Sequence, residues 1–139
     1  MSLEHYPVQL LSDDGETIDG VWAFDDEIED CCLSLQYSGK KIVITEIDYF
    51  EAMCRIREEL EKENLRPLSY GASRNVFPSG MSRDMGDATL AYRTTLGLQG
   101  KMSDLVFIFA TGGDVEPVTV SEQKQFHDEW FKSLELSQR

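Results

Sequence analysis

Four short strand-length runs in the first third of the chain, each closed by a turn signal, constrain the fold more than any other feature. Tyr6–Leu11 is a short apolar run. Ser12-Asp13-Asp14-Gly15 then turns the chain, Asp-Gly being a strong short-range hairpin signal. In Thr17–Phe24, Ile18, Gly20, Trp22 and Phe24 share one face, and Asp19, Val21 and Ala23 share the other. An acidic connection leads to Cys31–Tyr37, where Cys31, Leu33, Leu35 and Tyr37 alternate with Cys32, Ser34 and Gln36. Ser38-Gly39-Lys40 turns the chain again, and Lys41–Thr45 is a fourth strand. Strands in sequence joined by short connections read as an antiparallel meander.

The period then changes. From about Ile47 to Asn64, Tyr49, Met53, Ile56 and Leu60 recur at helical spacing, with Phe50 and Cys54 widening the stripe. Thr45, with Asp48 three residues on, reads as the entry of this central helix. Asn64 and Pro67 end it. Leu65–Tyr70 is extended, since Arg66 precedes a proline. Gly71–Asp87 carries Gly71, Pro78, Gly80 and Gly86 and reads as a long loop, with Phe77, Met81 and Met85 turned into the core. Ala88–Leu96 reads as a strand, and Leu105–Ala110 as a strand buried on both faces. A C-terminal helix, about 120–136, opens at Thr119 or Ser121 and docks on the sheet through Phe126, Trp130, Phe131 and Leu134. The expected class is therefore α+β: a mainly antiparallel sheet of about five to seven strands with a central helix (about 47–64) and a C-terminal helix packed on it. At 139 residues the chain has the size of one domain.

Charge is distributed unevenly. Residues 1–64 carry 17 acidic and 5 basic side chains, residues 65–101 carry 2 and 5, and residues 102–139 carry 7 and 3. These are balances of −12, +3 and −4, for a net −13. A chain this acidic repels phosphate backbones, which disfavours nucleic acid as a partner. No stretch is apolar enough for a membrane helix, and the first residues do not resemble a signal peptide, so a soluble cytoplasmic protein is expected. Cys31, Cys32 and Cys54 have no framework spacing and read as free thiols. With only His5 and His127 available, no metal or cofactor site is expected.

Two candidate sites follow. The first is an anion-binding segment in the one positive window, residues 70–93. Ser73, Arg74, Asn75, Ser82, Arg83, Asp84 and Arg93 supply hydroxyls and guanidinium forks among glycines that let a ligand approach the backbone. Neither GxxxxGK[ST], GxGxxG nor GxSxG is present, so the segment carries no named chemistry. Its arginines have a structural use as well, as ion-pair partners of Asp84, Asp87 or the acidic strands.

The second is the cluster Asp25, Asp26, Glu27, Glu29 and Asp30, which reads as a solvated charged connection or, alternatively, as a surface for a basic protein. It lacks the spacing of a calcium loop. Inhibitors of nucleases often present such surfaces, because the target's active site is itself basic. The chain is expected to be a protein-interaction module of the immunity or regulatory type that binds a basic partner. The alternative is a small-molecule binding or enzymatic domain using residues 70–93. His127 lies in the C-terminal helix beside Asp128, but adjacent helical residues do not face each other, so no His–Asp dyad follows.

Overall fold

A computed structural model describes residues 3–25 and 29–137, with the backbone alone for Met85 and Ser137. The meander is present as β1 (Leu3–Ser12), β2 (Thr17–Asp25), β3 (Cys31–Tyr37) and β4 (Lys40–Glu46), each antiparallel to the next. Registers such as Tyr6↔Trp22, Trp22↔Leu35 and Leu33↔Ile44 put the alternating apolar sets on one face. Val8, Leu10, Trp22, Phe24, Leu33 and Leu35 are all buried there. The β3–β4 turn has only two residues, Ser38 and Gly39, with φ of 48° and 73°. Positive φ at both positions matches the twist of the flanking strands.

The central helix, α1 (Tyr49–Glu61), lies across β3, β4 and β5 and buries Tyr49, Phe50, Ala52, Met53, Ile56 and Leu60. Asp48, not Thr45, caps it: the Asp48 carboxylate accepts the Glu51 N–H at 2.7 Å. Ile47 is left outside the helix and 80% exposed. Asn64 adopts φ 58° three residues past the helix and reverses the chain. β5 (Leu65–Pro67) then pairs with β1, giving the order β4-β3-β2-β1-β5. Pro67 is tolerated because β5 is an edge strand.

The segment Gly71–Asp87 is more structured than its glycines and prolines suggest. It holds most of a 3₁₀ turn (Tyr70–Ala72), then β6 (Val76–Phe77) and α2 (Gly80–Met85). Met81 does not plug the core; it is 72% exposed. The Met85 side chain lies outside the described residues. β6 pairs with β7 (Leu90–Arg93), and β7 with β8 (Leu105–Phe107), in a second antiparallel sheet. Strand pairing along 105–110 stops at Phe107, where a turn closed by Ala110 N–H to Phe107 O at 3.0 Å interrupts the alternation. Ile108 and Phe109 can therefore both be buried.

Phe109 joins the two sheets. Its ring lies 5.0 to 6.4 Å from those of Tyr6, Trp22, Phe24, Tyr49 and Phe107. Tyr70–Ala72 packs below, where a Cβ on Gly71 would sit 2.6 Å from Met53 Sδ. α3 (Val120–Ser137) has a reciprocal cap, with Glu122 N–H donating to Thr119 Oγ1 at 3.1 Å and Thr119 N–H donating to Glu122 Oε1 at 3.0 Å. It packs against β6 and α1 through Val120, Gln123 and His127, while Phe131 is 59% exposed.

Arg57 and Gln123 tie α1, the 3₁₀ turn and α3 together from inside. Arg57 is 1% exposed and faces no carboxylate at ion-pair distance among the described residues. Its Nη1 donates to Gln123 Oε1 at 2.5 Å and Gly71 O at 3.2 Å, and its Nη2 to Val118 O at 2.9 Å. Gln123 Nε2 reaches Gly71 O, Ser73 O and Val76 O at 2.8 to 2.9 Å. Burial pushes the Arg57 pKa down. No described helix is long and apolar enough to cross a membrane.

Candidate functional site

The arginines of the positive window are all engaged with acids from outside it. Arg66 pairs with Asp13 at 3.6 Å and Arg74 with Glu116 at 3.6 Å. Arg83 pairs with Asp48 at 2.8 Å and Glu51 at 3.2 Å, and Arg93 with Asp114 at 2.9 Å. Among the described residues none uses Asp84 or Asp87, the two acids within the window. The local excess of positive charge is thus spent on the negative flanks of the same chain.

These pairs differ in weight. Arg66–Asp13 and Arg74–Glu116 lie in solvent, where such a pair contributes about 0–1 kcal/mol. Asp48 is 1% exposed and holds two jobs, capping α1 and accepting Arg83 Nε. Arg83 also lies over the Phe50 ring, its guanidinium carbon 5.6 Å from the centroid. Burial alone would lower the Arg83 pKa, but the hydrogen bonds and charges of Asp48 and Glu51 outweigh it and raise it. Arg93 Nη2 donates to the Tyr70 hydroxyl at 3.1 Å, and that hydroxyl donates to Asp114 at 2.6 Å. The Tyr70 hydrogen bond, helped by the charge of Arg93, holds the Asp114 carboxyl below its ordinary range.

Ser73, Asn75 and Ser82 serve the backbone. Ser73 is buried and its hydroxyl accepts Glu116 N–H at 2.9 Å. Asn75 O accepts Thr94 N–H at 2.7 Å. Ser82 Oγ donates to Leu90 O at 2.7 Å. Asp84 is exposed on α2. Arg74, Arg83 and Arg93 therefore reach three different carboxylate sets rather than one shared ligand position.

In the acidic cluster, Glu29 and Asp30 are exposed and form no ion pair among the described residues. Asp25 ends β2 and is partly buried. Asp26 and Glu27 lie outside the described residues. No three His, Cys, Asp or Glu side chains among the described residues are grouped to hold a metal ion.

A third location emerges only in three dimensions. Phe77 and Tyr92 are cross-strand partners on β6 and β7. With His127 and Trp130 of α3 they line a cavity of about 240 Å³ that also touches Pro78, Ser79, Thr94 and Gly100. His127 stacks on Phe77 with ring centroids 3.9 Å apart and planes at 10°, and Trp130 follows at 5.6 Å. Trp130 Nε1 donates to Leu98 O at 2.8 Å, which fixes the indole. His127 Nδ1 is buried with no hydrogen-bond partner among the described residues. Burial lowers the His127 pKa, opposed by Asp128 and reinforced by Arg83. Ser79 and Tyr92 are shared with an adjoining trough of about 350 Å³ walled by Met81, Leu90 and Leu105.

His127 and Trp130 are three apart on a helix, which places them on one face. That spacing was the available sequence signal; the Phe77–Tyr92 pairing had none. No protein-family model and no curated protein sequence matches the chain.

Proposed function

We propose that the chain is an acidic protein-interaction module, of the inhibitor or regulator type, that binds a basic protein. One observation carries this reading. The arginines able to hold an anion, Arg66, Arg74, Arg83 and Arg93, already face carboxylates. What remains for a partner is the surplus negative charge of a −13 chain, including the exposed Glu29 and Asp30. Surplus charge of one sign accelerates encounter with a partner of the other and discriminates among partners.

The test is association with a candidate basic partner from the native host, followed as rates against salt. Association should slow as salt rises, and a Glu29→Gln/Asp30→Asn variant should associate more slowly with little change in stability. Rates insensitive to both would remove the proposal. The alternative, an anionic small molecule held by residues 70–93, predicts that a phosphorylated or carboxylated metabolite raises the melting temperature of the wild type and not of Arg83→Ala.

A further inference from the structure

We infer that the Phe77–Tyr92–His127–Trp130 cavity and the Met81–Leu90–Leu105 trough beside it form the centre of that interface, and that the cavity takes an aromatic side chain flanked by lysine or arginine in the basic partner. This inference rests on the interaction-module reading above and adds to it the place and chemistry of contact.

Size comes first. Pockets for free small molecules run to about 300–1,000 Å³. The cavity is about 240 Å³, the scale of one large side chain, and it opens beside a wider trough rather than closing over a ligand. Its walls are ring faces and edges, which favour offset or edge-on packing of another ring. A cation is a poorer occupant. No acidic side chain among the described residues lines the cavity, and the burial that disfavours a charged His127 would equally oppose an ammonium or guanidinium.

The surroundings supply the charge that the cavity lacks. Asp128 adjoins His127 and is exposed, Asp84 lies in α2 just beyond Ser82 and is exposed, and Asp104 adjoins Leu105. None of the three is in an ion pair among the described residues. Arg83 and Arg93, the cations beside Ser82 and Tyr92, are matched by Asp48, Glu51 and Asp114. Within two residues of the lining, Lys101 near Gly100 and Lys132 near Trp130 are the cations without such a match among the described residues, and Glu129 is a further exposed acid. An apolar centre within a charged rim is the usual anatomy of a protein interface, and aromatic residues in central pockets are its usual hot spots. Here the exposed acids that adjoin the lining in sequence, Asp84, Asp128 and Glu129, with Asp104, outnumber the unmatched Lys101 and Lys132, which complements basic residues on either side of the inserted ring. Met81 and Leu90, 72% and 46% exposed, extend the apolar centre beyond the cavity.

Three blocked probes separate the contributions: acetyl-Lys-Phe-Lys-amide, acetyl-Lys-Ala-Lys-amide and acetyl-Phe-amide. Each is titrated into the ¹⁵N-labelled full chain while the indole N–H signals of Trp130 and Trp22 are followed. Trp22 is fully buried and serves as the internal reference. Acetyl-Lys-Phe-Lys-amide should shift Trp130 and not Trp22. It should bind about tenfold more tightly than either other probe. That margin should shrink in an Asp84→Asn/Asp104→Asn/Asp128→Asn variant, which leaves the aromatic walls intact. A Tyr92→Leu variant should weaken both phenylalanine-containing probes and leave the alanine probe unchanged.

Equal binding of the alanine probe overturns the cavity assignment and leaves the acidic-surface reading standing. Equal binding of acetyl-Phe-amide makes the cavity a small-molecule site and overturns the proposed partner chemistry. If no probe shifts Trp130, the inference is lost, and the salt dependence of partner association then decides the broader reading independently.

Discussion

Arg83 donates Nε to Asp48 at 2.8 Å, and the same carboxylate caps α1 by accepting the Glu51 N–H at 2.7 Å. One buried acid therefore fixes both the start of the central helix and the position of α2. Asp48→Ala should cost about 3–5 kcal/mol, because it removes a cap and leaves a partly buried guanidinium without its principal partner. Asp48→Ser keeps a capping oxygen and should recover about 1 kcal/mol of that loss. Arg74→Ala, which breaks only a solvent-exposed pair, should cost less than about 1 kcal/mol. Urea denaturation of the three variants checks the order, and an Arg74→Ala effect as large as that of Asp48→Ala would contradict it.

Arg57 is the second internal tie. Its guanidinium serves Gly71 O, Val118 O and Gln123 Oε1 in a site without water-facing surface. Arg57→Ala removes the donor of Val118 O and Gln123 Oε1, leaves Gly71 O to Gln123 alone, and opens a void, so a loss of at least about 3 kcal/mol is expected. Gln123→Leu is expected to cost about 1–3 kcal/mol, because it frees Ser73 O and Val76 O. In a double-mutant cycle the two losses should not add, since the side chains share Gly71 O and each other.

Gly71 is required by contact rather than by φ. A methyl group there would lie 2.6 Å from Met53 Sδ and 2.9 Å from Ile108 Cβ. Gly71→Ala should destabilise by about 1–3 kcal/mol through overpacking. Gly113→Ala, whose Cβ would meet nothing within 4 Å, is the matched control. Thermal melts of the pair suffice.

Acid should weaken the protein in two windows. The folded His127 has a depressed pKa, so the native state prefers the neutral imidazole and the unfolded chain binds more protons below the ordinary value. Its contribution is complete above about pH 6.5 and is lost as pH falls through the lower folded value. Glu63, Asp114 and Glu122 are also depressed, but their losses begin only below their ordinary values of 4.5, 3.8 and 4.5. Denaturation at a series of pH values should show the upper window flattened in His127→Phe, which keeps a ring against Phe77, while the lower window stays unchanged.

Periodicity made the meander, α1 and α3 legible, because each repeats its pattern over seven or more residues. β6 and α2, at two and six residues, are too short to express a period, and Gly71, Pro78 and Gly80 there mark turns rather than a structureless stretch. Thr45 and Asp48 both offer a capping oxygen, and only the folded backbone selects Asp48. The charge map exposed the positive window but not its use. Arg83 finds Asp48 35 residues away, and Asp13 and Arg66 meet because β5 returns to pair with β1. The aromatic cavity needs the Phe77–Tyr92 register and the placement of α3 together, neither of which is encoded by local spacing.

The position of Phe109 has a consequence for how the chain is made. The meander is complete by Glu46, and α1 by Glu61, yet Tyr6, Trp22, Phe24 and Tyr49 all wait for a ring that arrives more than forty residues after α1 ends. A polypeptide growing on the ribosome therefore carries a finished sheet with an open aromatic face until residue 109 has cleared the exit tunnel. During that interval the nascent chain is a client for holding chaperones, and a message cut short before that codon yields a product that is folded in outline and adhesive on one side.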